Sequence, residues 1–316
     1  MVQASGALAT VMYVDEVTYG VTPASPSMHQ LLAATPGVSL KENIQELVSN
    51  ALNGSRSILA ARAGNRSVAG ALPVELPIEG LGRLLVHAIG PVVTTGAGPY
   101  THVIKRGALP VGISFEIGYP DITQYQVFSG CRLGGLNLSV PDSGLITGSL
   151  DVIGQAASAF TGTPLDASPT VPEHDPYAEI DATFEEGGAA FSNKMTALTM
   201  ALTNNLEPRP VAGSARIVSA NAGRGTMRGQ ITSIFDSPAL INKALAETES
   251  SLKATFTRGA NSLEVFMPSV KYFGDAGAGI ETDQGLLVTL DYVATYDVTE
   301  ATDIRVTIVN DESAIG

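Results

Sequence analysis

The residues able to do chemistry are few and scattered. Four histidines, His29, His87, His102 and His174, show none of the short spacings that bring two imidazoles to one metal ion. Glu173-His174-Asp175 is a compact cluster able to touch a cation, but it lies in a proline-rich stretch where a solvated loop is expected. The single cysteine, Cys131, can neither close an internal disulfide nor build a cysteine zinc site. With no histidine nearby in sequence, it reads as a small packed or partly exposed thiol. Gly223-Arg224-Gly225-Thr226-Met227-Arg228-Gly229 approaches a dinucleotide-binding fingerprint, but its last spacing is wrong and it opens a strand, so it reads as a turn. A Walker A sequence and a Gly-x-Ser-x-Gly elbow are both missing. The sequons at Asn53, Asn65 and Asn137 carry little weight without a secretion signal. The expectation is therefore no catalytic residue, no metal site and no cofactor.

The chain around these residues is acidic but sparsely charged. Its 316 residues hold 31 acidic and 18 basic side chains, net −13, yet charged residues are only 16% of the total. Hydrophobic residues at 44% suffice for a real core, and the length implies two domains, since single cores stop growing near ~250–300 residues. Aromatics at 6% and the lack of tryptophan count against a sugar-stacking, β-rich hydrolase. Residues 1–160 carry 10 acidic and 8 basic groups, and residues 161–316 carry 21 and 10, so the second half supplies most of the negative field. Such a field repels phosphates rather than gripping them. The start, Met1 to Ser5, lacks a basic and apolar leader, and the uncharged run Leu84 to Ile104 is interrupted by glycines and prolines, so no membrane span is expected.

The patterning is mostly that of strands. Alternating runs occur at Val68–Leu76, Val111–Ile117, Leu136–Val140 and Ile146–Val152, the last two joined by the turn Pro141-Asp142-Ser143-Gly144 as a hairpin. Further strands are expected at Met195–Leu202, Ala215–Val218, Thr226–Phe235, Leu263–Met267, Leu286–Val293 and Ile304–Val309. Three helices are expected. One spans Leu40 to about Leu52, with Ser39 and Glu42 as a capping box. A second, short one starts at Pro77, and a third follows Ser237-Pro238 with Leu240, Ile241, Ala244 and Leu245 as its apolar stripe.

The two halves also match one another in order. Ser67–Leu72 corresponds to Thr226–Ile231, each followed by a proline-initiated helix at Pro77 or Pro238. Arg106–Ala108 corresponds to Arg258–Ala260, Ser114–Ile117 to Ser262–Val265, and Ser149–Ile153 to Thr289–Val293. The expected organisation is an N-terminal arm over 1–38, a first β unit over 39–160 and a proline-rich acidic connector over 161–189. A second β unit over 190–298 and a C-terminal strand and tail over 299–316 complete it.

Taken together, these segments resemble the tail tube proteins of long-tailed bacteriophages. The residues that carry the resemblance are the opening Glu16–Pro23, the segment Ser39 to Leu52 followed by Arg62, Val68-Ala69-Gly70 and Leu84–Gly90. Leu109–Glu116 and the run from Tyr125 to Leu133 continue it. It covers nearly the whole chain through diffuse strand patterns. The resemblance implies a mainly β fold, a duplicated β-sandwich or barrel-like unit with a flanking α-helix in each copy. It also implies a structural virion protein that forms stacked rings making a hollow tube for DNA. Another virion protein, a decoration or tail-terminator protein, is the alternative.

With two units in one chain, three chains would close a ring of pseudo-six-fold symmetry, with a ring of six chains as the alternative. Expected partners are further copies of the chain and the tape measure, terminator and distal tail proteins. DNA would pass without specific binding, and assembly would take place in the host cytoplasm. Glu116, Asp151, Glu264 and Asp291, acids at matched positions of the two halves, are expected to face the lumen. Tyr13, Val14, Val17 and Tyr19 are expected to form an arm reaching the next ring, as is the tail Ala301–Ile315.

Overall fold

The computed structural model describes residues 3–34, 37–173, 175–191, 194–275, 277 and 285–315. The fold is mainly antiparallel β. Its first half runs β1 (Thr10–Glu16), β2 (His29–Leu31), β3 (Lys41–Val48), β4 (Ala61–Glu75), helix α1 (Gly82–Ile89), β5 (Val92–Thr95), β6 (Tyr100–Lys105), β7 (Gly112–Tyr119), β8 (Gln124–Val140), β9 (Thr147–Gly154) and β10 (Ala156–Ala157). The second half runs β11 (Ala182–Glu186), β12 (Ala189–Ala190), β13 (Met195–Thr203), β14 (Glu207–Pro210), β15 (Ile217–Asn221), β16 (Thr226–Ile234), helix α2 (Ala239–Leu245), β17 (Ser250–Arg258), β18 (Asn261–Phe273), β19 (Leu287–Ala294) and β20 (Arg305–Asn310).

The two halves repeat one pairing scheme. In the first, β1 pairs with β2 and β7, β4 with β3 and β9, and β8 with β7, β9 and β10. In the second, β11 pairs with β12 and β17, β16 with β13 and β19, and β18 with β17, β19 and β20. Register repeats as well. Leu72 opposite Leu150 and Ala71 opposite Asp151 recur as Ile231 opposite Leu290 and Gln230 opposite Asp291.

A glycine marks the same spot in both halves. A Cβ on Gly70 would meet the Ser39–Leu40 backbone at 2.4–2.6 Å, and one on Gly229 would meet the Thr199 carbonyl oxygen at 1.9 Å. In each case the neighbouring backbone, just before β3 or on β13, passes too close for any side chain. The halves differ in their insertions. The first carries the β5–β6 hairpin, and the second carries the short β14–β15 hairpin where β3 and β4 run on unbroken.

One sheet crosses both halves in the order β3-β4-β9-β8-β13-β16-β19 and ends on the last residues of β18, with β8 paired to β13 at the centre. Its inner face is apolar: Leu72, Leu150, Leu136, Met200, Leu202, Met227, Ile231 and Leu290 are all buried. Helix α1 and the strands β18 and β20 cover it, so that Leu85, Ile89, Leu263, Val265 and Val306 meet Leu136, Leu138 and Leu202 across a common space. Each such fully buried side chain contributes about 1.5–3 kcal/mol. The long strands β8 and β18 belong to both layers, pairing by their first parts in one and by their last parts in the other.

Several expectations change. The segment expected as a helix from Leu40 to Leu52 is strand β3. Leu40 is buried, but Ile44, Leu47 and Val48 are 40–49% exposed and meet no core within the chain, while pairing with β4 satisfies one edge of the backbone. The Ser39 hydroxyl accepts the Ala71 N–H at 2.9 Å across the sheet instead of capping a helix. Helix α1 begins at Gly82, not at Pro77, which bridges Pro176. The proline-rich connector is irregular only to about Ala178, because residues 182–186 and 189–190 are strands of the second half.

Two of the matched blocks fall on strands that are not counterparts. The pairing scheme sets β7 against β17, so Ser114–Ile117 and Ser262–Val265 hold different places, as do Arg106–Ala108 and Arg258–Ala260. The N-terminal segment is not a free arm, since β1 is paired along its length with β7. The C-terminal tail is likewise built in: β20 lies between β18 and β6, and Ile315 is 1% exposed.

Candidate functional site

The second face of the central sheet is polar and open. Ser149 and Asp151 on β9, Asn137 and Ser139 on β8, Thr199 and Thr203 on β13, Arg228 and Gln230 on β16, and Thr289 and Asp291 on β19 share it through cross-strand pairing. Side chains bond along this face rather than into a cleft. Asn137 Nδ2 donates to Asp151 Oδ2 at 3.4 Å, Gln230 Nε2 donates to Asp291 Oδ1 at 3.1 Å, and the Thr232 and Thr289 hydroxyls lie 3.1 Å apart. The face thus carries mainly hydroxyl, amide and a few charged groups, with the exposed pair Ile234 and Leu287 at one end. It can hold water in register, but it converges on no reacting point.

The four acids expected in the lumen part company. Asp151 and Asp291 occupy equivalent, exposed positions on the polar face. Glu264 lies elsewhere, on the first part of β18, where Arg305 Nη2 sits 3.4 Å from its Oε1. Glu116 is 1% exposed and does not reach the surface of the chain. Its Oε2 accepts the Leu165 N–H at 2.8 Å, while its Oε1 is buried with no hydrogen-bond partner. Burial pushes its carboxyl above the usual range, against the Leu165 hydrogen bond and with the help of Asp166. Strict alternation along β7 places Glu116 on a polar face by sequence, but connector residues cover that face.

The residues expected in an arm reaching the next ring are similarly divided. Tyr13 is buried against Phe115 and His29 and donates its hydroxyl to the Gly80 carbonyl at 3.0 Å. Val14 is half-buried opposite Ser114. Tyr19 lies under the Arg132 guanidinium at 5.5 Å, and burial pushes its phenol up to about 12. Val17 alone among them is open, at 88% exposure.

The remaining reactive side chains serve the fold. His87 Nε2 lies 2.8 Å from Asp15 Oδ1, and Arg83 approaches the other oxygen at 3.3 Å. Burial pulls Asp15 up, yet these two partners outweigh it and leave its carboxyl below the usual range. Glu16, also buried, accepts from the Ser114 hydroxyl and from the Gly20 and Gly130 N–H groups. Cys131 is fully buried, which raises its thiol well above the ordinary value. Among the described residues no group of three or more His, Cys, Asp or Glu could hold a metal ion, and no helix is long and apolar enough to cross a membrane. His174 of the acidic cluster lies outside the described residues, and Asp175 bonds Arg258.

Sequence reasoning missed Asn204. Its amide donates to the Ala88 and Leu133 carbonyls at 2.8 and 2.9 Å, and so ties β13 to the end of α1 and to β8. It also missed the sheet margins. Among the described residues only β4 is hydrogen-bonded to β3, and Lys271–Phe273 of β18 have β19 on one side and no strand on the other.

The described face is an open polar sheet with margins that no strand of the chain pairs. Residues 6–294 match the family model described as phage tail tube protein. The chain belongs to the phage tail tube protein family. No curated protein matches it. Membership makes it a structural component of a virion tail, a class that works by association with its own copies and with other tail proteins.

Proposed function

We propose that this tail tube protein assembles into rings that stack as a hollow conduit for DNA, with the polar face of the central sheet lining the lumen. The observation that carries this reading is that face: small, hydrated groups spread over strands of both halves, with Asp151 and Asp291 at matched positions. A hydrated wall with scattered carboxylates offers phosphates nothing to grip. The repeated pairing scheme supports each half as one repeated unit, so that three chains complete a ring of six units. Contact with tape measure, terminator and distal tail proteins, and assembly in the host cytoplasm, follow from the same reading.

Negative-stain microscopy of the purified protein tests the ring. Stacked hollow rings with a mass of three chains per ring are expected; compact monomers overturn the reading, and six chains per ring overturn the trimer. The lumen is tested by Asp151→Lys with Asp291→Lys in assembled tails, where slower DNA ejection is expected. Unchanged ejection from intact tails would place the acids outside the conduit.

A further inference from the structure

Between the two halves the chain crosses one face of β7 as a strap, residues 161–170. Backbone bonds tie its ends. Thr161 and Tyr125 each donate an N–H to the other's carbonyl, and Thr170 donates to Met28 and accepts from Gln30. Between these ends two carboxylates fasten the strap. Asp166 accepts the Ser168 N–H at 2.8 Å and the Met28 N–H at 2.9 Å, one on each oxygen, and these bonds hold its carboxyl below the usual range. Glu116 accepts the Leu165 N–H at 2.8 Å on Oε2, while its Oε1 is enclosed with no partner. Met12 of β1 and Val127 of β8 flank Glu116 across the sheet and carry no charge. Two positions along β7, Ser114 shares the face and donates to the buried Glu16. His29, next to Met28, packs with Tyr13 on the opposite face. From the strap, Asp166 is the charged group beside Glu116. Among the described residues no Lys, Arg or His bonds either acid.

We propose that this strap is a proton-dependent clasp, closed over β7 when Glu116 is protonated and released at Leu165 when Glu116 is ionised. An enclosed carboxylate with an unpartnered oxygen, a like charge alongside and no cation leaves its ionised form poorly stabilised. Two events relieve it. A proton removes the charge and leaves Oε2 to accept from Leu165, so the strap stays down. Release of the strap instead lets water reach both oxygens, with loss of the Leu165 bond. Burial pushes the Glu116 carboxyl above the usual range, so the closed strap binds the proton more tightly than the released one. Closure is therefore complete below the ordinary carboxylate range and weakens as pH rises through the raised value. Asp166, with both oxygens bonded, stays ionised over this interval and keeps its hold on Met28. The clasp belongs to the single chain and does not depend on the ring reading.

Hydrogen exchange of the full chain tests the clasp, read residue by residue and corrected for the intrinsic effect of pH. Protection of the Leu165 amide should fall roughly three- to tenfold between about pH 5 and about pH 8. The Met28 amide, bonded to Asp166, and the amides of β16 should hold theirs. Glu116→Gln keeps an oxygen for Leu165 without a charge and should make that protection independent of pH. Asp166→Asn removes the like charge, so the fall at Leu165 should begin at lower pH. Flat protection at Leu165 in the unaltered chain overturns the clasp, as does a fall that persists in Glu116→Gln. An equal fall at Leu165, Met28 and β16 overturns it too, since the opening would then be global. Should Glu116→Gln fail to fold, Asp166→Asn decides: a profile moved to lower pH supports the clasp, and an unmoved one overturns it.

Discussion

β13 and β3 hold the same place in their two halves, and their surroundings differ. β13 is paired on both edges, its Leu198, Met200 and Leu202 are buried, and Asn204 just beyond it fastens the strand to α1 and β8. β3 is paired on one edge, and its side chains from Asn43 to Val48 are exposed. The two strands differ in what stands beside them, more than in backbone: β13 has the other half of its own chain as a neighbour, and β3 has none. The free edge of β3 therefore keeps a row of backbone groups that its own chain does not pair.

The sharpest way to break this comparison is to remove a covering strand. Deleting residues 305–315 takes away β20, and with it the cover over β18 and β6 supplied by Val306 and Ile308, both 2–3% exposed. Loss of cooperative unfolding by circular dichroism and rapid proteolysis are expected; a normal melt would show that this strand is a dispensable tail. Next in size is the contrast between covered and bare leucines. Leu202→Ala on β13 should cost about 2–5 kcal/mol in urea unfolding of the monomer, while Leu47→Ala on β3 should stay within ~0.5 kcal/mol. Equal costs would mean that β3 is already packed within the chain.

Asn204→Ala should cost about 1–3 kcal/mol, since it strands two buried carbonyls at the junction. A neutral result by the same unfolding curve would make the junction purely a matter of strand pairing. The smallest effect distinguishes the covered acid from the bare ones. In the fold, Glu116 takes its proton at a higher pH than in the unfolded chain, so at neutral pH its ionised form counts against folding. That handicap shrinks as pH falls through the raised value and is gone below the ordinary carboxylate range. Glu116→Gln should therefore raise the melting temperature slightly at pH 7 and reduce the gain on acidification. A Glu116→Gln profile identical to that of the unaltered chain would refute the enclosure of Glu116.

Much of the strand content was legible in the sequence. Val68–Leu76, Met195–Leu202, Thr226–Phe235 and Leu286–Val293 alternate apolar and polar residues because one face of the central sheet is buried and the other is wet. The hairpin turning at Pro141–Gly144 was legible too, from its turn residues. Leu40–Leu52 was misread because, beyond the buried Leu40, its apolar residues at helical spacing have no helix face to build, only an edge that stays bare within the chain. The register match between β4/β9 and β16/β19 was visible as aligned blocks, whereas Ser114–Ile117 against Ser262–Val265 was a likeness of local pattern between strands in different places.

By itself the sequence determined the β-rich class, the polar second face, the lack of a catalytic spacing and the likeness to tail tube proteins, since all of these follow from local periodicity, composition and motif order. Only the tertiary structure decided which acids are open and which is enclosed, that the first and last strands, β1 and β20, are built into the sheets, and that β3 and the end of β18 are the uncovered margins. Those outcomes depend on which distant segment lies alongside, and alternation in a strand records that a face is covered without recording by what.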